Sequence, residues 1–198
     1  MAIEITNIRK AYGSNIVFDC FDCQIDEGTV TCIMGPSGRG KTTLLRIMLG
    51  LEQSDGGQVS GIENQRKSVV FQEDRLCENL SVVSNIRLVC HKPIKTNDII
   101  EAMSIVDLAS DFAKQPTRSM SGGQRRRVAI LRALMAEYDI LFLDEPFKGL
   151  DLETKKKVML YTKEQSKGKT VIFITHDKEE CEIMDGRIIN INQYKMIS

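Results

Sequence analysis

The stretch Gly35–Thr43, GPSGRGKTT, constrains this chain more than any other. It follows a short apolar strand pattern, Thr29 to Met34, and opens a helical pattern, TTLLRIMLG, that stops at Gly50. It satisfies G-x-x-x-x-G-K-[ST] in the strand–loop–helix context that the mechanism of such loops requires. Glycines 35, 38 and 40, spaced by Pro36, Ser37 and Arg39, let the backbone curl so that several N–H groups converge on phosphate oxygens. The emerging helix, beginning at Thr42 and Thr43, adds the positive end of its dipole. Lys41 supplies a point charge for the β- and γ-phosphates, and the Thr42 hydroxyl is placed to ligate Mg²⁺. The expectation is an α/β chain that binds a nucleoside triphosphate.

Composition narrows the alternatives. With 198 residues, 42% hydrophobic and 27% charged, the chain reads as one globular domain spanning 1–198. No apolar run exceeds four residues, whereas a membrane span needs roughly 20. The opening MAIEITNIRK carries an early acid and no apolar block, so a signal peptide is not expected. Twenty-seven basic and 27 acidic residues give no net charge, hence no chain-wide field for nucleic acid, which is not an expected partner. Of six scattered cysteines only Cys20 and Cys23 form a C-x-x-C pair. They sit in a strand pattern, where residues three apart face opposite sides, and no second pair completes a zinc site. Reduced, structural cysteines are expected.

Along the chain, Ala2–Ala11 and Asn15–Asp26 read as an antiparallel meander turning at Gly13 and Ser14. Lys67–Phe71 is a further strand. Helical spacing over about Leu80–Leu108, followed by a helix after Gly122 and Gly123, suggests a helical subdomain at roughly 73–135, inserted in the core. Strand, helix, strand, helix and strand patterns then follow at Asp139–Leu143, Leu152–Ser166, Thr170–Thr175, Asp177–Met184 and Arg187–Ile191. Four-residue apolar runs such as Ile140–Leu143 and Val171–Ile174 suit strands buried on both faces.

Two further stretches carry chemistry. The apolar run Ile140–Leu143 ends in Asp144 and Glu145, carboxylates that are costly to bury unless something cationic meets them. Asp144 suits Mg²⁺ coordination, and Glu145 suits activation of a water. Downstream of Met120, the Ser121 hydroxyl and the N–H groups of Gly122 and Gly123 at the start of the Gln124 helix form a second anion site. Lys114, Arg118, Arg125, Arg126, Arg127 and Arg132 surround it with no acid between Phe112 and Ala136, a local field suited to a polyphosphate. For Arg125–Arg127 a solvated helix face is the competing reading.

The stretch MSGGQRRRVAILRAL, just upstream of LFLDEPFKGLD, resembles the signature of ATP-binding cassette (ABC) ATPases. The resemblance covers essentially the whole chain: Tyr12 ends the first strand, Gln72 follows SVVF, Asp151 closes KGLD, and His176 follows VIFIT. It implies a P-loop NTPase core, with a mixed sheet flanked by helices, an N-terminal antiparallel β subdomain and an inserted α-helical subdomain. It also implies that Tyr12 stacks on adenine, that Gln72 contacts Mg²⁺ and the attacking water, and that His176 binds the γ-phosphate and orients Glu145. Two copies, as a homodimer or with a similar ATPase, would pack head to tail. Ser121–Gln124 of one would cap the nucleotide held by the loop of the other, and Asp151 would cross the interface.

The same resemblance implies an ATP- and Mg²⁺-dependent motor subunit on the cytoplasmic face of the membrane, bound to a separate integral-membrane permease. Arg75, Leu76 and the apolar residues near Leu80 would form the permease groove. The segment Val69–Ile86 is similar to bacterial importers of nitrate, sulfonates and taurine. The alternative is a soluble, non-transport ABC-type ATPase; those of DNA repair and chromosome architecture carry a long coiled coil between the nucleotide motifs, for which there is no room here. Departures from the pattern are Met120 for the usual Leu, and Lys148–Gly149 where two small residues are preferred, a change at the dimer contact. No regulatory C-terminal domain is expected after the last strand.

Overall fold

The computed structural model describes residues 2–191. Its strands are β1 (Ile3–Tyr12), β2 (Asn15–Ile25), β3 (Val30–Met34), β4 (Gly56–Ser60), β5 (Lys67–Val70), β6 (Ile140–Asp144), β7 (Thr170–Ile174) and β8 (Arg187–Asn190). The helices are α1 (Lys41–Met48), α2 (Val82–Arg87), α3 (Thr96–Ile105), α4 (Gly122–Met135), α5 (Leu152–Gln165) and α6 (Lys178–Ile183), with 3₁₀ turns at Ser110–Lys114 and Thr117–Ser119.

The mixed character expected of the sheet resolves into two separate sheets. One is antiparallel, in the order β2-β1-β4; the other is entirely parallel, in the order β5-β6-β7-β3-β8. The N-terminal meander is therefore a hairpin whose third strand, β4, comes from later in the chain and pairs on the far side of β1. Strand β4 has the sequence GGQVS, with no apolar alternation to announce it.

The hairpin also departs from strict alternation. Ile3, Ile5 and Ile8 all face the core, as do Phe18 and Phe21, so the inward spacing switches from two to three. Bulges absorb the extra residue, with Asn7 and Cys20 at φ 52° and 57°. At this bulge Cys20 is exposed and Cys23 half-buried, and both are free thiols.

The parallel sheet separates two apolar layers, and its strands alternate between them. Ile140, Phe142, Ile172 and Ile174 pack with α1 and the inward faces of β1 and β2. Leu141, Leu143, Val171 and Phe173 pack on the other side with residues of α2 to α6. Burial on both faces explains why these strands read as continuous apolar runs. The C-terminal ends of β3, β6 and β7 thus emerge together at one edge of the core, where α/β proteins bind ligands.

Candidate functional site

The loop after β3 is held open by contacts that only its residues allow. Gly40 caps α1 with φ 84°, and a Cβ there would meet Val17 Cγ1 at 2.3 Å and Phe18 Cζ at 2.8 Å. The loop therefore lies directly on β2, a fit that glycine alone provides. No side chain caps the first turn of α1, so its N–H groups remain for a ligand. Lys41 folds back over the loop, and its Nζ donates to the carbonyls of Gly35 and Pro36 at 2.8 Å each. Burial lowers its pKa, opposed by the nearby Glu145 and Asp144.

Facing the loop, Asp144 is only 2% exposed at the end of β6 and accepts a hydrogen bond from the Thr42 hydroxyl at 3.0 Å. Burial raises its pKa, partly offset by that hydrogen bond. A buried carboxylate beside a hydroxyl at the mouth of a phosphate cradle is a hard-oxygen donor set that fits Mg²⁺.

Beyond β6 the chain turns sharply, with Glu145 at φ 46° and its N–H donating to the Ile174 carbonyl at 3.0 Å. Its carboxylate accepts from Lys148 Nζ at 2.8 Å, and His176 Nδ1 stands 3.8 Å from the other oxygen. The hydrogen bond from Lys148 is the main cause of a lowered Glu145 pKa.

A cavity of about 330 Å³ is lined by Tyr12, Ser37, Gly38, Gly40, Lys41, Thr42, Thr43, Gln72, Glu145 and Lys148, with Asn15, Val17 and Ile174; Asp144 lies behind Thr42 and does not line it, and His176 lines an adjoining cavity. Tyr12 is half exposed at one end, its hydroxyl bonded to Glu52 and Lys10 Nζ 5.2 Å from its ring centroid. Arg39 is not among the lining residues, and Gly35 and Pro36 act through the carbonyls that hold Lys41.

The stretch expected to form a second anion site lies apart from this cavity. Ser121 accepts from Gln124 N–H at 3.3 Å, while the Gln124 side chain accepts from Ser121 N–H at 2.8 Å, a capping box that opens α4. Gly122 has open space where a Cβ would stand, and neither it nor Gly123 lines the cavity. Asp151 caps α5 by accepting from Thr154 N–H at 3.0 Å and is likewise outside it.

The model for the ABC transporter family matches residues 18–148. This chain belongs to that family. The sulfate/thiosulfate import ATP-binding protein CysA of Xanthomonas campestris pv. campestris is 35% identical over 98% of this chain and 62% of its own length. The spermidine/putrescine import ATP-binding protein PotA of Treponema pallidum is 36% identical over 99% of this chain and 56% of its own length. The chain thus spans about 60% of the length of these relatives. A bacterial ABC transporter cassette solved as a dimer superimposes with a TM-score of 0.83 at 29% identity, covering 95% of this chain and 93% of that one. The same cassette, solved as a post-hydrolysis dimer bound to ADP and Pi, covers the same shares with a TM-score of 0.81 at 29% identity. The named relatives import cargo of opposite charge at nearly equal identity, so likeness to nitrate, sulfonate and taurine importers is not singled out.

The basic run of this cassette differs from its sequence reading. Arg126 is 5% exposed, and its guanidinium donates to Phe71 O at 2.6 Å and Glu145 O at 2.9 Å and pairs with Asp74 at 3.2 Å. Arg127 donates to the carbonyls of Val106 and Asp107, and Arg132 to those of Asp74 and Arg75. These three charges are committed to backbone carbonyls rather than projecting as a field for phosphate. Their work is mechanical: Arg126 ties the chain on both sides of Gln72, and the residue after Asp144, to one helix. Buried Asn85 continues the linkage by bonding Cys77 N–H and the carbonyls of Cys77, Leu80 and Ser81. A signal for Arg126 existed in the sequence, since it shares a helical face with buried Ile130 and Ala133 at i+4 and i+7.

Proposed function

We propose that this chain is the ATP-hydrolysing motor subunit of an ABC transporter, closing on ATP as a head-to-tail dimer and working on a separate membrane permease. The observation that carries the reading is that the loop Gly35–Thr43 and the capped start of α4, each a candidate anion site, lie apart in one chain. The loop Gly35–Thr43 lines a cavity open to solvent, and the capped start of α4 at Ser121 does not reach it. A second copy supplies the missing wall in the simplest way. The likeness to an ABC cassette solved twice as a dimer supports the same arrangement.

In this reading Tyr12 stacks on the base, the loop N–H groups and Lys41 bind the phosphates, and Thr42, Gln72 and Asp144 hold Mg²⁺. Bound Mg²⁺ supplies charge neutralisation at the phosphate oxygens. Glu145 takes a proton from the attacking water, and His176 hydrogen-bonds the γ-phosphate. Ser121, Gly122, Gly123 and Gln124 meet the γ-phosphate of the partner's nucleotide, and Asp151 lies at the contact.

Arg126, Arg132 and Asn85 support a route from Gln72 to the helical segment 73–135, proposed here as the subdomain that meets the permease. The peripheral, cytoplasmic placement of this subunit follows from the permease role, and the names of the similar import proteins support it. Cargo of nitrate, sulfonate or taurine type rests only on the segment Val69–Ile86.

The test is co-expression with candidate permeases, followed by Mg²⁺-dependent phosphate release from the purified complex. A polytopic membrane protein is expected to copurify, and Lys41→Ala to abolish turnover. Full activity in Lys41→Ala would remove the loop from the mechanism. Robust ATPase activity with no membrane partner under any condition would favour a soluble ABC-type ATPase.

A further inference from the structure

Lys148 stands where the chain departs from its family pattern, and the structure gives it a partner. Its Nζ lies 2.8 Å from Glu145 Oε2, and its N–H donates to the Glu145 carbonyl at 3.3 Å, closing the turn that carries both residues. The backbone of Glu145 is fixed independently: its N–H reaches Ile174 O and its carbonyl receives Arg126 Nη2 at 2.9 Å. The side chain is left with rotatable bonds of its own. His176, the residue expected to orient it, is 3.8 Å from Oε1, beyond hydrogen-bond reach; its side chain is 69% exposed, against 57% for Lys148. Lys148 supplies the direct hydrogen bond that His176 does not. It lines both the nucleotide cavity and an adjoining cavity of about 230 Å³ bounded by His176, Asp177 and Leu152, so it stands at the junction of the two.

We propose that Lys148 is a positioning residue for hydrolysis, anchoring Glu145 through Oε2 so that Oε1 is presented to the attacking water. The inference rests on the reading of Glu145 as the base. The chemistry follows from the geometry. A carboxylate with one oxygen engaged by an ammonium loses rotational freedom but keeps lone pairs on the other oxygen for a proton. A reacting group held in this way avoids the entropy of finding its attack geometry, and a misplacement of about 1 Å can cost on the order of 100-fold in rate.

The experiment compares Lys148→Met, Lys148→Arg and Glu145→Gln with wild type for kcat, KM and the Kd of a fluorescent ATP analogue. Lys148→Met is expected to lower kcat about 10- to 100-fold while KM and Kd stay within about threefold, because anchoring a base affects turnover and not ground-state binding. Lys148→Arg, which retains a donor to Oε2, is expected to recover most of kcat. A double variant, Lys148→Met with Glu145→Gln, is expected to dimerise on ATP as fully as Glu145→Gln alone, which separates positioning from a role in the dimer contact. Unchanged kcat in Lys148→Met, a loss confined to KM and Kd, or loss of the ATP-dependent dimer in the double variant would each overturn the assignment. Full activity in Glu145→Gln would instead overturn the base reading on which it rests.

Discussion

Replacing Asp144 by Asn isolates the cost of keeping in the core a carboxylate proposed to hold Mg²⁺. Asp144 is 2% exposed, and burial is the largest influence on its carboxyl, raising its pKa against the pull of Thr42, Arg126 and Lys41. A carboxyl whose pKa is higher in the folded than in the unfolded chain holds its proton more tightly when folded. Stability therefore falls as pH rises from the unfolded pKa through the folded one, and stays lower above it. Near neutrality the ionised side chain is a liability that Mg²⁺ would relieve. Asn keeps the shape and an acceptor for the Thr42 hydroxyl while removing the charge. The nucleotide-free variant should gain on the order of 1 kcal/mol, the cost of a buried charge less the stronger hydrogen bond it accepted. For a chain of this length that raises Tm by about 2–4 °C. Added ATP and Mg²⁺ should have the opposite ranking. At a ligand concentration about 100 times Kd, wild type gains about 2.7 kcal/mol, and the variant should gain much less. Thermal unfolding with no ligand, with ATP and EDTA, and with ATP and Mg²⁺ reads all three states. A nucleotide-free variant less stable than wild type, or one fully stabilised by ATP and Mg²⁺, would refute the reasoning.

Other expected outcomes test different parts of the account. Ser121→Arg should stop phosphate release while leaving the Kd for ATP of the isolated chain unchanged; weakened binding in the monomer would contradict a site supplied in trans. Arg126→Met should cost about 2–4 kcal/mol in urea unfolding, because it strands the carbonyls of Phe71 and Glu145 and the Asp74 carboxylate. A change within about 0.5 kcal/mol would return Arg126 to the surface. Hydrogen bonds from Arg66 hold the Asp139 carboxyl at about 2, below its usual 3.8. A depressed carboxyl pKa contributes stability that is present above the unfolded value and lost as pH falls through the folded one. The difference in Tm between wild type and Arg66→Met should therefore be full near neutrality and shrink from about pH 4 to about pH 2; a constant difference would assign the effect to packing.

The phosphate loop and the buried strands were legible in the sequence because each states its physics locally. Gly35–Thr43 carries its glycines, lysine and threonine in nine consecutive residues, and the runs at Ile140 and Val171 need no partner to be recognised as doubly buried. The spacing of Ile3, Ile5 and Ile8 already recorded the bulge in β1, although strict period-two reading hides it. Strand β4 was not legible, since Gly57 at φ 79° is required by the crowding of β1: a Cβ there would meet Asn7 O at 2.2 Å. That constraint belongs to the partner strand, not to GGQVS. The basic run misled for a similar reason. Three adjacent arginines look alike in sequence, and only the packing of α4 against Phe71, Asp74 and Glu145 distinguishes Arg126. Lys148 was visible as a departure at the dimer contact, but its hydrogen bond to Glu145 depends on the turn that folds the two together.

Light scattering on a sizing column with Glu145→Gln and saturating ATP measures the central claim most directly. The account predicts a dimer with ATP and Mg²⁺, a monomer without nucleotide, and a monomer again when Lys41→Ala or Ser121→Arg is added to Glu145→Gln. A monomer with ATP demonstrably bound, or a dimer indifferent to nucleotide, would contradict it.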